Sequence, residues 1–107
     1  MEISATDLKE RLDAGEEIVL LDIRNAYELD LANLEHDSLH IPQEQLMTRL
    51  EELSPFAERD LVVYCRTGNR SAGCVQFLKS KGFKKVFNLT GGLHAWSDDV
   101  DPAVMKY

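Results

Sequence analysis

The chain lacks a disulfide framework: its 107 residues include two cysteines, Cys65 and Cys74, fewer than small secreted scaffolds use. A stapled extracellular fold is therefore not expected, and both thiols are expected free in a reducing, cytoplasmic setting. No apolar run approaches the length needed to span a bilayer, so no membrane association is expected. Met1-Glu2-Ile3-Ser4 has neither a basic start nor an apolar stretch, and no secretory signal is expected. Positive charge is also scarce. Lys and Arg number 12 against 19 Asp and Glu, for a net charge of -7, which argues against a nucleic-acid partner. Internal repeats and low-complexity stretches are missing too.

What remains is one globular domain over 1–107, with 98–107 as a candidate flexible tail. Hydrophobic residues make up 44% and charged residues 29%, a balance suited to one ordinary core. The charge is uneven. Residues 1–60 hold 16 acids and 5 bases, a balance of -11, whereas residues 61–107 hold 3 acids and 7 bases, a balance of +4. An anionic small substrate would suit the basic half, although Lys79, Lys81, Lys84 and Lys85 also fit an ordinary solvated surface.

Short apolar runs alternate with amphipathic segments. Ser4 is placed to cap a helix through about Ala14, with Leu8 and Leu12 inward and Gly15 as its stop. Ile18-Val19-Leu20-Leu21, Leu61-Val62-Val63-Tyr64 and Val86-Phe87-Asn88-Leu89 read as buried strands. Residues 24–41 read as loop with a short helix. Pro42 opens a second helix with Leu46, Leu50 and Leu53 on one face, closed by Ser54-Pro55. Residues 65–70 form a turn, and a third helix runs from Ser71 to about Lys81. Gly91-Gly92 turns the chain into a last helix with Ala95 and Trp96. Strands separated by helices predict an α/β fold: a mainly parallel sheet with helices on both faces. Ligands of such sheets bind beyond the carboxyl ends of the strands, where Cys65 lies.

Cys65-Arg66-Thr67-Gly68-Asn69-Arg70-Ser71 sits between a buried strand and a helix. Gly68 permits the sharp turn that this junction needs. Successive backbone N–H groups in such a turn converge on one point, and the helix N-terminus adds more. Together with Arg66 and Arg70, they favour the Cys65 thiolate over the thiol. A thiolate so held is a nucleophile that needs no neighbouring base.

This loop resembles the active-site loop of the rhodanese-like, or thiosulfate sulfurtransferase, family. The similarity covers nearly the whole chain. Asp22-Ile23-Arg24 with Glu28 resembles the segment after that family's first core strand. Ile41-Pro42 resembles its step into a helix. Gly82-Phe83, Val86, Asn88-Leu89, Gly91-Gly92 and Ala95-Trp96 resemble its C-terminal signature. One stretch departs from the pattern: where the family often carries Gly-His-Ile and then Gly-Ala, residues 33–40 read Asn-Leu-Glu-His-Asp-Ser-Leu-His, which leaves the roles of His36 and His40 open.

The resemblance implies a rhodanese-like fold and transfer of a sulfane sulfur. The donor would be thiosulfate or a persulfide, and the acceptor a thiol, a protein thiol or cyanide. Cys65 would carry the sulfur as a persulfide. Arg66 or Arg70 would bind the donor's sulfonate, and the N–H groups from Thr67 to Ser71 would stabilise the developing charge. Asp22 and Arg24, with Glu28, would form a supporting ion-pair group at the site rim. A sulfur-carrier or docking module with little turnover is the alternative. A cysteine phosphatase or arsenate reductase is a remote one, because Cys65 and Arg70 are separated by four residues, one short of the phosphatase spacing. No metal and no cofactor are expected, and a monomer is the default. Cys74 reads as a small core residue rather than a resolving thiol, Trp96 as a core anchor, His94 as surface or packing, and Asp98, Asp99 and Asp101 as a solvated end.

Overall fold

The computed structural model describes residues 1–34 and 36–107. Five parallel strands form one sheet in the order β1-β5-β4-β2-β3. They are β1 (Glu2–Ile3), β2 (Ile18–Asp22), β3 (Leu39–His40), β4 (Asp60–Tyr64) and β5 (Val86–Leu89). The helices are α1 (Ala5–Asp13), α2 (Ala26–Leu31), α3 (Asn69–Ser80) and α4 (Gly92–Asp99). This is the α/β architecture expected from the alternating pattern.

The three apolar runs form the centre of the sheet. The middle strand β4 pairs Leu61 with Val19 and Val86, and Val63 with Leu21 and Asn88. A buried strand offers alternate side chains to opposite faces, and two cores result. Leu61, Val63 and Cys65 join Leu21, Cys74, Val75 and Leu78 on the side covered by α3. Val62 and Tyr64 join Leu8, Leu89, Leu93 and Trp96 on the side covered by α1 and α4. Ser4 caps α1 as expected, its Oγ accepting from the Asp7 N–H at 3.1 Å.

Three local expectations need correction. The helix expected from Pro42 is instead a pair of 3-10 segments, Gln43–Gln45 and Leu50–Phe56. The expected apolar face is present, since Leu46 and Leu53 are buried and Leu50 packs beside them. The backbone differs: Thr48 Oγ1 donates to the Gln45 carbonyl and Ser54 Oγ to the Glu51 carbonyl, and such side-chain bonds compete with the α ladder. Second, α3 begins at Asn69 rather than Ser71, because Gly68 takes the left-handed conformation, φ +93°, and completes the turn. Third, β1 and β3 were not foreseen, each being two residues long, too short to show a period.

The candidate flexible tail is folded back. Asp98 and Asp99 belong to α4. Val104 is buried, its carbonyl accepting from Ser97 Oγ at 2.7 Å. Tyr107 reaches residues 24 and 28, some 80 positions away.

Candidate active site

The loop after β4 places Cys65 where the sheet ends and α3 begins. Cys65 Sγ accepts a hydrogen bond from the Gly68 N–H at 3.1 Å and lies 3.3 Å from Ser71 Oγ. Burial pushes the thiol pKa up. The Ser71 hydroxyl and the backbone N–H groups of Ser71, Gly68 and Thr67 outweigh it and leave the pKa below its usual value. The groups that touch the sulfur, rather than the loop arginines, supply this effect.

The turn between β5 and α4 anchors the loop from behind. The Leu93 N–H donates to the Cys65 carbonyl at 3.0 Å and the His94 N–H to the Arg66 carbonyl at 3.1 Å. Gly92, at φ +58°, makes this approach possible: a Cβ there would collide with the Cys65 carbonyl and lie 2.7 Å from that of Arg66. Asn88 on β5 adds a third tether, Nδ2 donating to the Gly68 carbonyl at 3.2 Å and to both Glu2 carboxylate oxygens at 3.1 Å. Its Oδ1 accepts from Ser71 Oγ.

Asp22 and Arg24 form a buried pair at 2.7 Å. Every Arg24 nitrogen is used. Nε and Nη2 face the Asp22 carboxylate, Nη2 also reaches the Ala32 carbonyl, and Nη1 serves the Glu28 carbonyl and the Tyr107 hydroxyl. Burial opposes the charge, and the bonds to Asp22 and Tyr107 outweigh it, so the pKa is raised. A buried ion pair persists only when its remaining donors are satisfied in this way.

Glu28 links this pair to the loop. Its carboxylate accepts from both terminal nitrogens of Arg70, at 3.1 and 3.0 Å, from the Tyr107 hydroxyl at 2.6 Å and from the Asn25 N–H at 3.1 Å. Burial would raise its pKa; Arg70, Tyr107 and Asn25 instead hold it at about 2. Arg70 is thereby committed to a carboxylate. Arg66 pairs with no carboxylate among the described residues; its guanidinium lies over the Tyr107 ring at 5.4 Å, with Nε 3.4 Å from His94 Nε2.

A cavity of about 550 Å³ opens over the loop, lined by Asn25, Tyr27, Glu28, Arg66, Thr67, Asn69, Arg70 and Tyr107. Cys65 itself is 1% exposed. The sequence-derived site residues are thus divided. Cys65, Gly68 and Ser71 meet at the sulfur, Arg66, Thr67, Asn69 and Arg70 form walls, and Asp22 and Arg24 stand behind Glu28. Sequence reasoning missed Tyr107, the tethering contacts of Asn88 and the coupling of Glu28 to Arg70. Cys74 is buried with its pKa pushed up to about 11 by burial and the neighbouring Cys65 charge. His40 Nε2 bonds the Arg24 carbonyl at 2.8 Å, and His36 meets Trp96 edge-on at 6.0 Å; both contacts lie outside the cavity.

Known proteins share this fold. The family model of the rhodanese-like domain matches residues 4–99. The chain is 37% identical to adenylyltransferase and sulfurtransferase MOCS3 of Arabidopsis thaliana, over 98% of this chain and 25% of that protein. It is 35% identical to a sulfurtransferase of Allochromatium vinosum, over 90% of this chain and 87% of that one. A crystal structure of a rhodanese-related protein from Thermoplasma volcanium superposes with a TM-score of 0.82 at 30% identity, covering 99% of this chain and 98% of that chain. The chain spans about a quarter of the length of the MOCS3-type relatives it matches.

Proposed function

This chain belongs to the rhodanese-like family, and we propose that it is a sulfurtransferase in which Cys65 carries the transferred sulfur as a persulfide. In the first half-reaction the Cys65 thiolate attacks the outer sulfur of a donor, thiosulfate or another sulfane-sulfur compound. A new S–S bond forms at Cys65, the donor's S–S bond breaks, and the leaving group, sulfite from thiosulfate or a thiolate from a persulfide, departs with the electron pair. The persulfide keeps one negative charge, now on its outer sulfur. In the second half-reaction a thiol, a protein thiol or cyanide attacks that sulfur and regenerates the thiolate. Such double displacement produces ping-pong kinetics.

The single observation that carries this reading is the buried Cys65 sulfur facing the Gly68 N–H at 3.1 Å, at the N-terminus of a 12-residue helix. Amides so directed stabilise an anion without a proton acceptor. With the residue 1% exposed, the donor must offer a single projecting atom, which suits a sulfane sulfur and not a phosphate ester. Arg66 is assigned to the donor's sulfonate, because Arg70 is held by Glu28. Two free cysteines suit a reducing compartment such as the cytoplasm.

Intact mass spectrometry after incubation with thiosulfate tests this. One added sulfur is expected, removed by cyanide and absent from Cys65→Ser. Failure of both thiosulfate and a protein persulfide to load Cys65 would reject the assignment. An aryl phosphate should turn over negligibly. A second reading, a relay module loaded by another protein, is favoured by the likeness to MOCS3-type proteins that are named as adenylyltransferase and sulfurtransferase together. Transfer from a protein persulfide much faster than from thiosulfate would select it.

A further inference from the structure

Ser71 has one hydroxyl proton and two neighbours that want it. Its oxygen is fully buried, 3.3 Å from Cys65 Sγ on one side and in hydrogen-bond contact with Asn88 Oδ1 on the other. The Asn88 amide cannot turn to offer an N–H, because its two Nδ2 hydrogens are taken by the Glu2 carboxylate and the Gly68 carbonyl, which are acceptors only. The hydroxyl must therefore donate to Asn88 or to the sulfur, never to both.

We propose that Ser71 is a hydroxyl rotor with two settings, donating to Asn88 while Cys65 is a thiol and to the sulfur when Cys65 is a thiolate, and that Asn88 is the positioning residue that sets the balance. In the first setting the thiol donates its S–H to Ser71 Oγ, and Ser71 passes its O–H to Asn88. When the thiol proton leaves to water, the sulfur becomes an acceptor. The serine proton swings about the Cβ–Oγ bond, and Asn88 Oδ1 loses its donor within a buried site. Asn88 thus competes with the thiolate.

Resting on the sulfur-transfer reading, the rotor gains a second consequence. Once Cys65 carries an outer sulfur, the charge moves outward to the loop amides and Ser71 is released to Asn88. Asn88 therefore favours the loaded enzyme over the empty thiolate.

Other charged or titratable groups around Cys65 do not share this proton. Arg70 and Cys74 face it from α3, and Glu28 stands behind Arg70. Arg66 lines the cavity with His94 beside it, and Glu2 lies beyond Asn88. Their influence persists whether or not residue 71 bears a hydroxyl.

The test is a double-mutant cycle on sulfur-free protein, reading Cys65 ionisation by ultraviolet thiolate absorbance; Cys74, pushed up to about 11, titrates separately. Asn88→Ala should lower the Cys65 midpoint by about half to one pH unit, the worth of one neutral hydrogen bond. In a Ser71→Ala background that lowering should vanish, leaving only the upward effect of losing the Gly68 carbonyl tether. Equal shifts in both backgrounds, or none in either, would overturn the rotor. If Asn88→Ala fails to fold, Asn88→Asp keeps the volume and the acceptor. It should raise the midpoint more with Ser71 present than in the Ser71→Ala background, and an equal rise would refute the proposal. Sulfur loading, followed by mass, is scored separately. Loading without coupling rejects the rotor and spares the sulfur-transfer reading, and coupling without loading does the reverse.

Discussion

Glu28→Gln should cost stability and increase anion affinity at the same time. The wild-type carboxyl is held at about 2 against an ordinary 4.5. That difference corresponds to at most about 3 kcal/mol in favour of the folded state. The Arg70 side chain is 35% exposed, so water screens part of it and a loss of about 2 kcal/mol is expected. The sign follows from the depressed pKa. The contribution is complete above the unfolded carboxyl's pKa and is lost as pH falls from there through about 2. Urea unfolding of both proteins at about pH 7 and about pH 3 reads this directly. The difference between them should shrink by more than half at the lower pH, where the unfolded wild-type carboxyl is already mostly protonated. Glutamine also leaves Arg70 without its counter-charge at the cavity wall, so the KM for thiosulfate should fall a few-fold. A constant stability offset at both pH values would mean that Glu28 acts by packing alone, and the charge argument would be wrong.

Three further outcomes are expected. Gly92→Ala should destabilise the fold by about 3 kcal/mol, from positive-φ strain plus the clash with the Cys65 loop, and should slow sulfur loading severely; an unchanged Tm would contradict it. Tyr107→Phe removes the hydroxyl that joins Glu28 to Arg24 and should cost about 1–2 kcal/mol with loading retained, as measured by chemical denaturation and mass spectrometry. Cys74→Ala should leave the pH profile of loading unchanged, because burial keeps that thiol protonated while Cys65 ionises below its usual pKa; a shifted profile would give Cys74 a part in the chemistry.

The readable parts of this molecule are those whose signal lies in neighbouring positions. Each central strand is a continuous apolar run because both of its faces are covered. Ser4 sits one residue ahead of the helix it caps. The Cys65 loop lies between a strand and a helix in one continuous stretch, so both its place and its chemistry could be argued from local residue types. The same local signal misled at Leu46, Leu50 and Leu53. Their spacing marks a buried face, and 3-10 segments can present that face as well as an α-helix can. Tyr107 carries no local mark at all, and Asn88, although part of the C-terminal signature, carries no mark of its role. The tyrosine is polar-tipped and follows an acidic stretch, and the asparagine sits inside an apolar run as if it were a lapse in the pattern. Their partners lie far away in sequence, at Glu28 and Arg24 for one and at Ser71, Gly68 and Glu2 for the other. Glu28 was visible as a motif residue, but its partner Arg70 is 42 positions away.

These distant contacts hold the loop backbone in place and turn the Thr67 N–H, one of the three that serve the sulfur, toward it. In a trans peptide the C=O and the following N–H point in opposite directions. A carbonyl tied outward therefore turns the next N–H inward. Leu93 ties the Cys65 carbonyl, His94 ties that of Arg66, and Asn88 ties that of Gly68. The N–H groups of Arg66, Thr67 and Asn69 are thereby directed away from those anchors. The loop left to itself would have many conformations, and converged N–H groups repel one another when no anion is present. The tethers from β5 and α4 remove that freedom before any sulfur arrives, so the anion meets dipoles already aligned and reorganisation costs little. Substitutions behind the loop, at Gly92 and Asn88, should accordingly disturb the chemistry more than substitutions at the exposed Thr67 or Asn69 side chains, whose backbones alone take part.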